Sequence, residues 1–268
     1  YSSAASDVSK RQVFFDLDWT LFDHKTRSFI PSAIQAINEI HDKGVKTYIN
    51  SARSYYALDR LGTFEKIKFD GYVANNGGAA FTNERILYAK YFPKDLSDAL
   101  LREIQSHGFS YLIVTLKDTY ICHIKGDKNV DDFYSVFYEP RPLDISEYNG
   151  KDEILTIQVF IDEKYDSLFD KRDGVVFHRF FDKAIELTHE QFHKSEGIEA
   201  QIADCGYSKE ELAAFGDDYN DIDMFELVGN GVCMGNGVEE VKKHARFVTT
   251  DIDKDGIKNG LKMIGLLK

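Results

Sequence analysis

Apolar positions in the first third of the chain fall into short unbroken runs, and the stretches between them repeat at helical spacing. Residues 13–17 are an apolar run ending in acids, the pattern of a strand buried on both faces. Pro31 opens a helical pattern through Ile34, Ile37 and Ile40, and Gly44 closes it. Residues 45–50 predict a second strand, 55–61 a short helix and 71–74 a third strand. The last third alternates in the same way, with helices expected over 196–205, 222–228 and 238–244 and strands over 212–215 and 232–234. Strands alternating with helices predict a parallel sheet, hence an α/β fold.

The middle of the chain follows another rule. Residues 86–92, 111–116, 120–125, 154–161 and 175–181 are rich in β-branched and aromatic side chains, and Thr156, Gln158 and Phe160 illustrate the period-two alternation of a half-buried strand. Helical stretches near 96–104 and 164–169 lie between them. This predicts an α+β unit, an open antiparallel sheet with helices on one face. We place it at 82–185, inserted between the two parts, 1–81 and 186–268, of an α/β core. Whole-domain insertions are tolerated at surface loops whose ends lie close together.

A net charge of −12 argues against nucleic acid or an anionic membrane surface, both of which need clustered Lys and Arg. It does not disfavour a small phosphate ester, because a divalent cation and one or two lysines suffice to hold one. The cysteines, Cys122, Cys205 and Cys233, form neither a disulfide framework nor a metal-type pairing, which points to a reducing, cytoplasmic setting. Residues 1–10 lack the apolar centre of a signal peptide, and no apolar run reaches bilayer-spanning length.

Four constellations carry candidate chemistry. In Phe14-Phe15-Asp16-Leu17-Asp18-Trp19-Thr20 an apolar strand delivers two carboxylates two residues apart, so alternation would point both to one side at the strand's C-terminal end. A divalent cation would relieve their repulsion, and turn-forming aspartates at a solvated strand end are the plainer alternative. In Ile49-Asn50-Ser51-Ala52-Arg53 a hydroxyl follows a strand and precedes a helix, so Ser51 suits either a phosphate site or a simple N-cap. Lys194 opens a helix in His193-Lys194-Ser195-Glu196-Gly197 and could neutralise phosphate charge, although most lysines are merely solvated. In Phe215-Gly216-Asp217-Asp218-Tyr219-Asn220-Asp221 three carboxylates and an amide follow a short strand, which suits a metal site or an acidic, capped turn. His123, His178, His189 and His193 show no ligand spacing.

In order and placement these motifs resemble the haloacid dehalogenase superfamily of phosphohydrolases, and within it the Cof-type branch (subfamily IIB). The resemblance extends to Asn76-Gly77-Gly78-Ala79, Met234-Gly235-Asn236-Gly237 and Asp255-Gly256. It implies a Rossmann-like core and an inserted α+β cap of the C2B type that selects the substrate. It also implies Mg²⁺-dependent hydrolysis of small phosphate monoesters, such as sugar phosphates, through an aspartyl-phosphate on Asp16. Asp18 would be the general acid and base. Asp16, Asp217 and the Asp18 carbonyl would bind the metal, and Ser51, the Ala52 N–H, Lys194 and Asn220 the phosphoryl group. Thr20, Asp221 and Arg53 would support them. Trp19 stands where many relatives have a small or acidic residue, Ser51-Ala52 replaces the commoner threonine and glycine, and the doubled glycine at Gly77-Gly78 leaves the register of Asn76 open by one residue.

A P-loop reading fails because no Gly-x-x-x-x-Gly-Lys occurs, and Asn75–Ala79 does not continue into a dinucleotide fingerprint. The alternatives on the same scaffold are a phosphomutase and a non-catalytic phosphate-binding protein. The expected partner is a small phosphorylated metabolite rather than nucleic acid or membrane, and the expected state a monomer or weak homodimer.

Overall fold

The computed structural model describes residues 11–137, 140–203 and 206–268, so the expectations resting on residues 1–10 and Cys205 lie outside the described residues. The chain divides into two compact units, one of Tyr1–Ala52, Gly62–Tyr88 and His193–Lys268 and the other of Arg53–Leu61 and Ala89–Phe192. The divisions fall at Ala52/Arg53, Leu61/Gly62, Tyr88/Ala89 and Phe192/His193, and none falls after residue 81 or 185. The reason is strand pairing. Ala79–Thr82 pairs with Gly71–Ala74 in the first unit, and Ala184–Thr188 pairs with Ile154–Phe160 in the second, so cuts after 81 and 185 would split both strands.

The first unit is built on an eight-stranded sheet in the order Phe247–Val248, Asn230–Cys233, Leu212–Gly216, Gln12–Phe15, Lys46–Asn50, Gly71–Ala74, Ala79–Thr82, Ile86–Ala89. The first six run parallel, and Ala79–Thr82 turns back antiparallel. Register is what matters for function. Phe15 lies opposite both Phe215 and Ile49, so the chain leaves three neighbouring strands at one level and places Asp16, Ser51 and Asp217 along a single edge. Both faces are covered. Phe14 stacks on Tyr48 at 4.7 Å in a layer with Ile198, Met224 and Phe225 from helices Lys194–Ile202 and Ile222–Leu227. Phe15 stacks on Phe215 at 5.2 Å on the opposite face, where helices Pro31–Asp42 and Gly256–Met263 lie side by side. This double cover explains the unbroken apolar runs.

The second unit has a six-stranded sheet ordered Leu143–Asp144, Thr119–Cys122, Ser110–Thr115, Ile154–Phe160, Ala184–Thr188, Val176–Phe181, antiparallel except for its first pair. Its helices do not share one face. Ile113, Ile157 and Val159 meet Leu100 and Ile104 of helix Lys94–Ser106, whereas Leu112 and Phe160 meet Val130 and Phe133 of helix Lys128–Val136. Alternation along each strand supplies apolar groups to both sides, so both need a helix. Tyr111 and Tyr120 are core residues, and Phe137 stacks on Phe133 at 4.9 Å. Among the described residues no helix is long and apolar enough to cross a membrane.

Candidate active site

The first strand ends at Phe15, one residue before the first acid. The Asp16 N–H still donates to the Phe215 carbonyl at 2.9 Å, which fixes its backbone beside the neighbouring strand. The chain then winds tightly around Leu17, whose carbonyl accepts from Thr20, Leu21 and Phe22 at 3.3, 2.8 and 2.8 Å. Trp19 takes a left-handed conformation in this turn, φ 60°, which costs an L-residue about 1–2 kcal/mol. The cost is offset by hydrogen bonds from the Trp19 N–H to the Phe22 carbonyl at 2.9 Å and from Asn236 Nδ2 to the Trp19 carbonyl at 3.0 Å.

Because the strand has already ended, strand alternation does not govern Asp18. Its carboxylate is not in the group formed by Asp16, and Oδ1 lies 2.7 Å from His24 Nε2 instead. The acids that meet are Asp16, Asp217 and Asp221, all buried, with one oxygen of each within 4.8 Å of the others. Lys194, the first residue of its helix and wholly buried, reaches Asp16 Oδ1 at 2.6 Å and Asp221 Oδ1 at 2.7 Å. Asp221 Oδ2 accepts the N–H groups of Asp217 and Asp218 at 2.8 and 3.0 Å, which locks the acidic turn. Thr20 Oγ1 donates to Asp217 Oδ1 at 3.0 Å and ties the first motif to the fourth.

One ammonium facing three buried carboxylates leaves an excess of negative charge. At an effective dielectric of about 20, two such carboxylates repel by roughly 3 kcal/mol. Burial raises the Asp16 carboxyl to about 7 despite the attraction of Lys194, with Asp221 and Asp18 adding repulsion. Burial, and then Asp16 and Asp221, push Asp217 up to about 9. Burial would lower the Lys194 ammonium, but Asp16 and Asp221 outweigh it and hold the group protonated. The donors to Asp16 and Asp217 engage Oδ1 of each among the described residues, and both oxygens of Asp221 accept protein donors. Hard oxygen ligands with an excess of negative charge suit a hard divalent cation, with Asp16 and Asp217 the acids placed to hold it.

The remaining candidates differ in burial and in partners. Ser51 is buried, its N–H donates to the Val73 carbonyl, and its carbonyl accepts the Asn76 N–H, both at 3.0 Å. It does not cap the following helix. Ser54 does so, its Oγ accepting from the Ala57 N–H at 3.2 Å, which removes the plain capping role of Ser51. Ala52 is exposed, and Arg53 is buried at the start of a segment that belongs to the second unit. Asn220 is exposed, and its Nδ2 donates to Asn76 Oδ1 at 2.9 Å, so Asn76 is the asparagine joined to the acidic turn. Gly77 has φ 96°, and a Cβ there would sit 1.9 Å from the His193 carbonyl, so this glycine lets the turn abut the Lys194 helix.

Gly216 gives a test of the packing. A Cβ at this position would lie 2.4 Å from the Asp221 carboxyl, the group that aligns Lys194 and the acidic turn. Gly216→Ala should destabilise the protein by about 1–3 kcal/mol. A denaturant melt checks this, and an unchanged midpoint would mean that Asp221 can move at no cost.

His24 was not among the residues singled out in the sequence. No ligand spacing marks it, and only the hairpin formed by Phe22–Asp23 and Ser28–Phe29 brings it to Asp18.

The chain is similar to known proteins over nearly its whole length. A family model described as haloacid dehalogenase-like hydrolase matches residues 13–261. A Bacillus subtilis (strain 168) protein named "Putative phosphatase YkrA" is 28% identical over 265 residues, covering 97% of this chain and all of that protein. A hypothetical protein of Geobacillus kaustophilus HTA426 superposes with a TM-score of 0.87 at 28% identity, covering 96% of this chain and 99% of that one. A sugar phosphatase of HAD subclass IIB superposes with a TM-score of 0.77 at 28% identity, covering 96% of this chain and 100% of that one.

Proposed function

The chain belongs to the haloacid dehalogenase-like hydrolase family, and from that premise we propose that it is a magnesium-dependent phosphatase that hydrolyses small phosphate monoesters through an aspartyl-phosphate on Asp16. The observation that supports this most directly is the Asp16 carboxylate at the end of a central strand, bonded to a buried Lys194 and grouped with Asp217. A nucleophile so placed is oriented by the same lysine that neutralises charge on the incoming phosphoryl group.

In the first step an Asp16 carboxylate oxygen forms a bond to phosphorus as the bond from phosphorus to the ester oxygen breaks. Asp18 gives its proton to the departing oxygen, so the product leaves as a neutral alcohol. In the second step the Asp18 carboxylate takes a proton from water as that water's oxygen bonds to phosphorus and the Asp16 oxygen departs, releasing inorganic phosphate. Splitting hydrolysis into two displacements lowers each barrier, and acid–base help of this kind is worth about 10²–10⁴-fold. Lys194, Ser51, the Ala52 N–H and Asn220 hold the phosphoryl oxygens, while Thr20, Asp221 and Arg53 support their positions. Mg²⁺ held by Asp16, Asp217 and the Asp18 carbonyl would add positive charge opposite those oxygens.

Sugar phosphates are the substrate class we favour, because a structural relative at 28% identity is a sugar phosphatase. The second unit would supply the contacts that select among them. The free thiols of Cys122 and Cys233 fit a cytoplasmic enzyme.

The test is release of inorganic phosphate by the purified protein from an aryl phosphate and a panel of sugar phosphates, with and without Mg²⁺. Mg²⁺-dependent phosphate release is expected. Transfer of the phosphoryl group to a second sugar without release would indicate a mutase, and the absence of turnover would leave only a binding protein.

A further inference from the structure

We propose that His24 is a positioning residue that holds the Asp18 carboxyl in the orientation needed to protonate the leaving alcohol; this rests on the role given to Asp18 under the proposed function. The direct observation is the 2.7 Å contact between His24 Nε2 and Asp18 Oδ1. With Nε2–H as the donor, the bond ties one Asp18 oxygen and leaves the other to carry the proton for the departing alcohol.

His24 is itself held. Its side chain is 13% exposed, and its ring packs against two aromatic neighbours, Trp19 at 5.1 Å and Phe22 in an edge-on contact at 5.4 Å. Phe22 is fixed in turn by an edge-on contact with Phe29 at 5.4 Å across the hairpin. The hairpin's own turn is closed by Asp23, whose carboxylate accepts from the Lys25 N–H at 2.8 Å and from Thr26 Oγ1 at 3.1 Å. Imidazole, aromatic walls and hairpin thus form a fixed arm ending on Asp18. The arm also gives the left-handed Trp19 a purpose. The conformation favours a glycine, yet a glycine there would remove one wall of the His24 slot.

A group that acts by orienting an acid matters in proportion to how much the reaction needs that acid. An unactivated alkyl phosphate needs its leaving oxygen protonated. A dinitrophenyl phosphate leaves as a stable anion and does not. The ratio kcat/KM reports the steps up to departure of the leaving group, so the two esters separate orientation of Asp18 from general damage to the site.

We therefore expect His24→Ala to lower kcat/KM for an alkyl phosphate by about 10–100-fold, and for 2,4-dinitrophenyl phosphate by less than about threefold. His24→Gln, which keeps a side-chain N–H able to reach Asp18, should recover most of the alkyl activity, and Trp19→Gly should show a smaller loss with the same ester preference. Asp18→Asn is the reference, with a larger ester-selective loss. Equal losses on both esters in His24→Ala, or no loss on the alkyl ester, would overturn the proposal while the reference still shows its selective loss. A reference without ester selectivity would overturn the role of Asp18 and this proposal together. No phosphate release by the unaltered protein from either ester with Mg²⁺ would instead overturn the phosphatase reading on which both depend.

Discussion

Asp16→Asn is expected to lower phosphate release from every monoester by roughly 10⁴-fold or more, because an amide oxygen does not form the covalent intermediate. The variant should still fold. Breaking a buried ion pair usually costs about 3–5 kcal/mol, since one charge is left without a partner. Here Lys194 keeps its second carboxylate, Asp221, at 2.7 Å, and an asparagine oxygen at position 16 can still accept from its ammonium. The substitution also removes one of three crowded acids, which offsets part of the lost attraction. Thermal melting of the variant should therefore stay close to that of the parent. Steady-state phosphate release and a melting curve together decide the matter. Retained turnover would remove Asp16 as the nucleophile, whereas a collapsed melting temperature would mean that its carboxylate is needed for folding.

The second large effect concerns the cation. Asp16, Asp217 and Asp221 are gathered in the interior with one ammonium, Lys194, bonded to two of them, so a divalent ion binding here should stabilise the folded state. At a free Mg²⁺ concentration about 100 times the dissociation constant, linkage predicts roughly 2.7 kcal/mol of added stability. For a protein of this size that is a rise in melting temperature of roughly 5–10 °C. Asp217→Asn should abolish most of the rise. Its melting temperature without Mg²⁺ should be equal to or above that of the parent, since an acid whose ionisation is opposed by burial and by its neighbours is replaced by a neutral amide whose oxygen can still accept from Thr20 Oγ1. Both values come from melting curves with and without Mg²⁺, independently of any turnover assay. An undiminished Mg²⁺ effect in the variant would place the ion elsewhere.

Much of the molecule was legible beforehand because its local signals agree. Residues 71–74 read as a strand and fold as one, and the helix opened by Pro31 runs to Asp42, just short of Gly44. Buried strands of a doubly covered sheet must be apolar throughout, and helices between them must repeat their apolar positions along one side. Other elements were less visible. The strand Ala79–Thr82 follows two glycines and begins with two alanines, so neither bulk nor branching marks it. Helix Gly256–Met263 carries a glycine in its interior and begins at a left-handed Asp255, features that usually argue against a helix.

The same division runs through the active site. The chain by itself determined that Asp16, Ser51 and Asp217 stand at the ends of apolar strands and that Lys194 opens a helix, because hydrophobic period and strand ends are local properties. It did not determine which side chains meet. Asp221 joins Asp16 only because Phe15 and Phe215, two hundred positions apart, are paired in register. Asp18 turns toward His24 only because the strand stops at Phe15 and the next residues wrap around the Leu17 carbonyl. Ser54 rather than Ser51 caps its helix because the helix begins at Tyr55, four residues beyond Ser51. Side-chain direction depends on backbone dihedrals at strand ends and on pairing between distant segments, and neither is written in the spacing of residues along the chain.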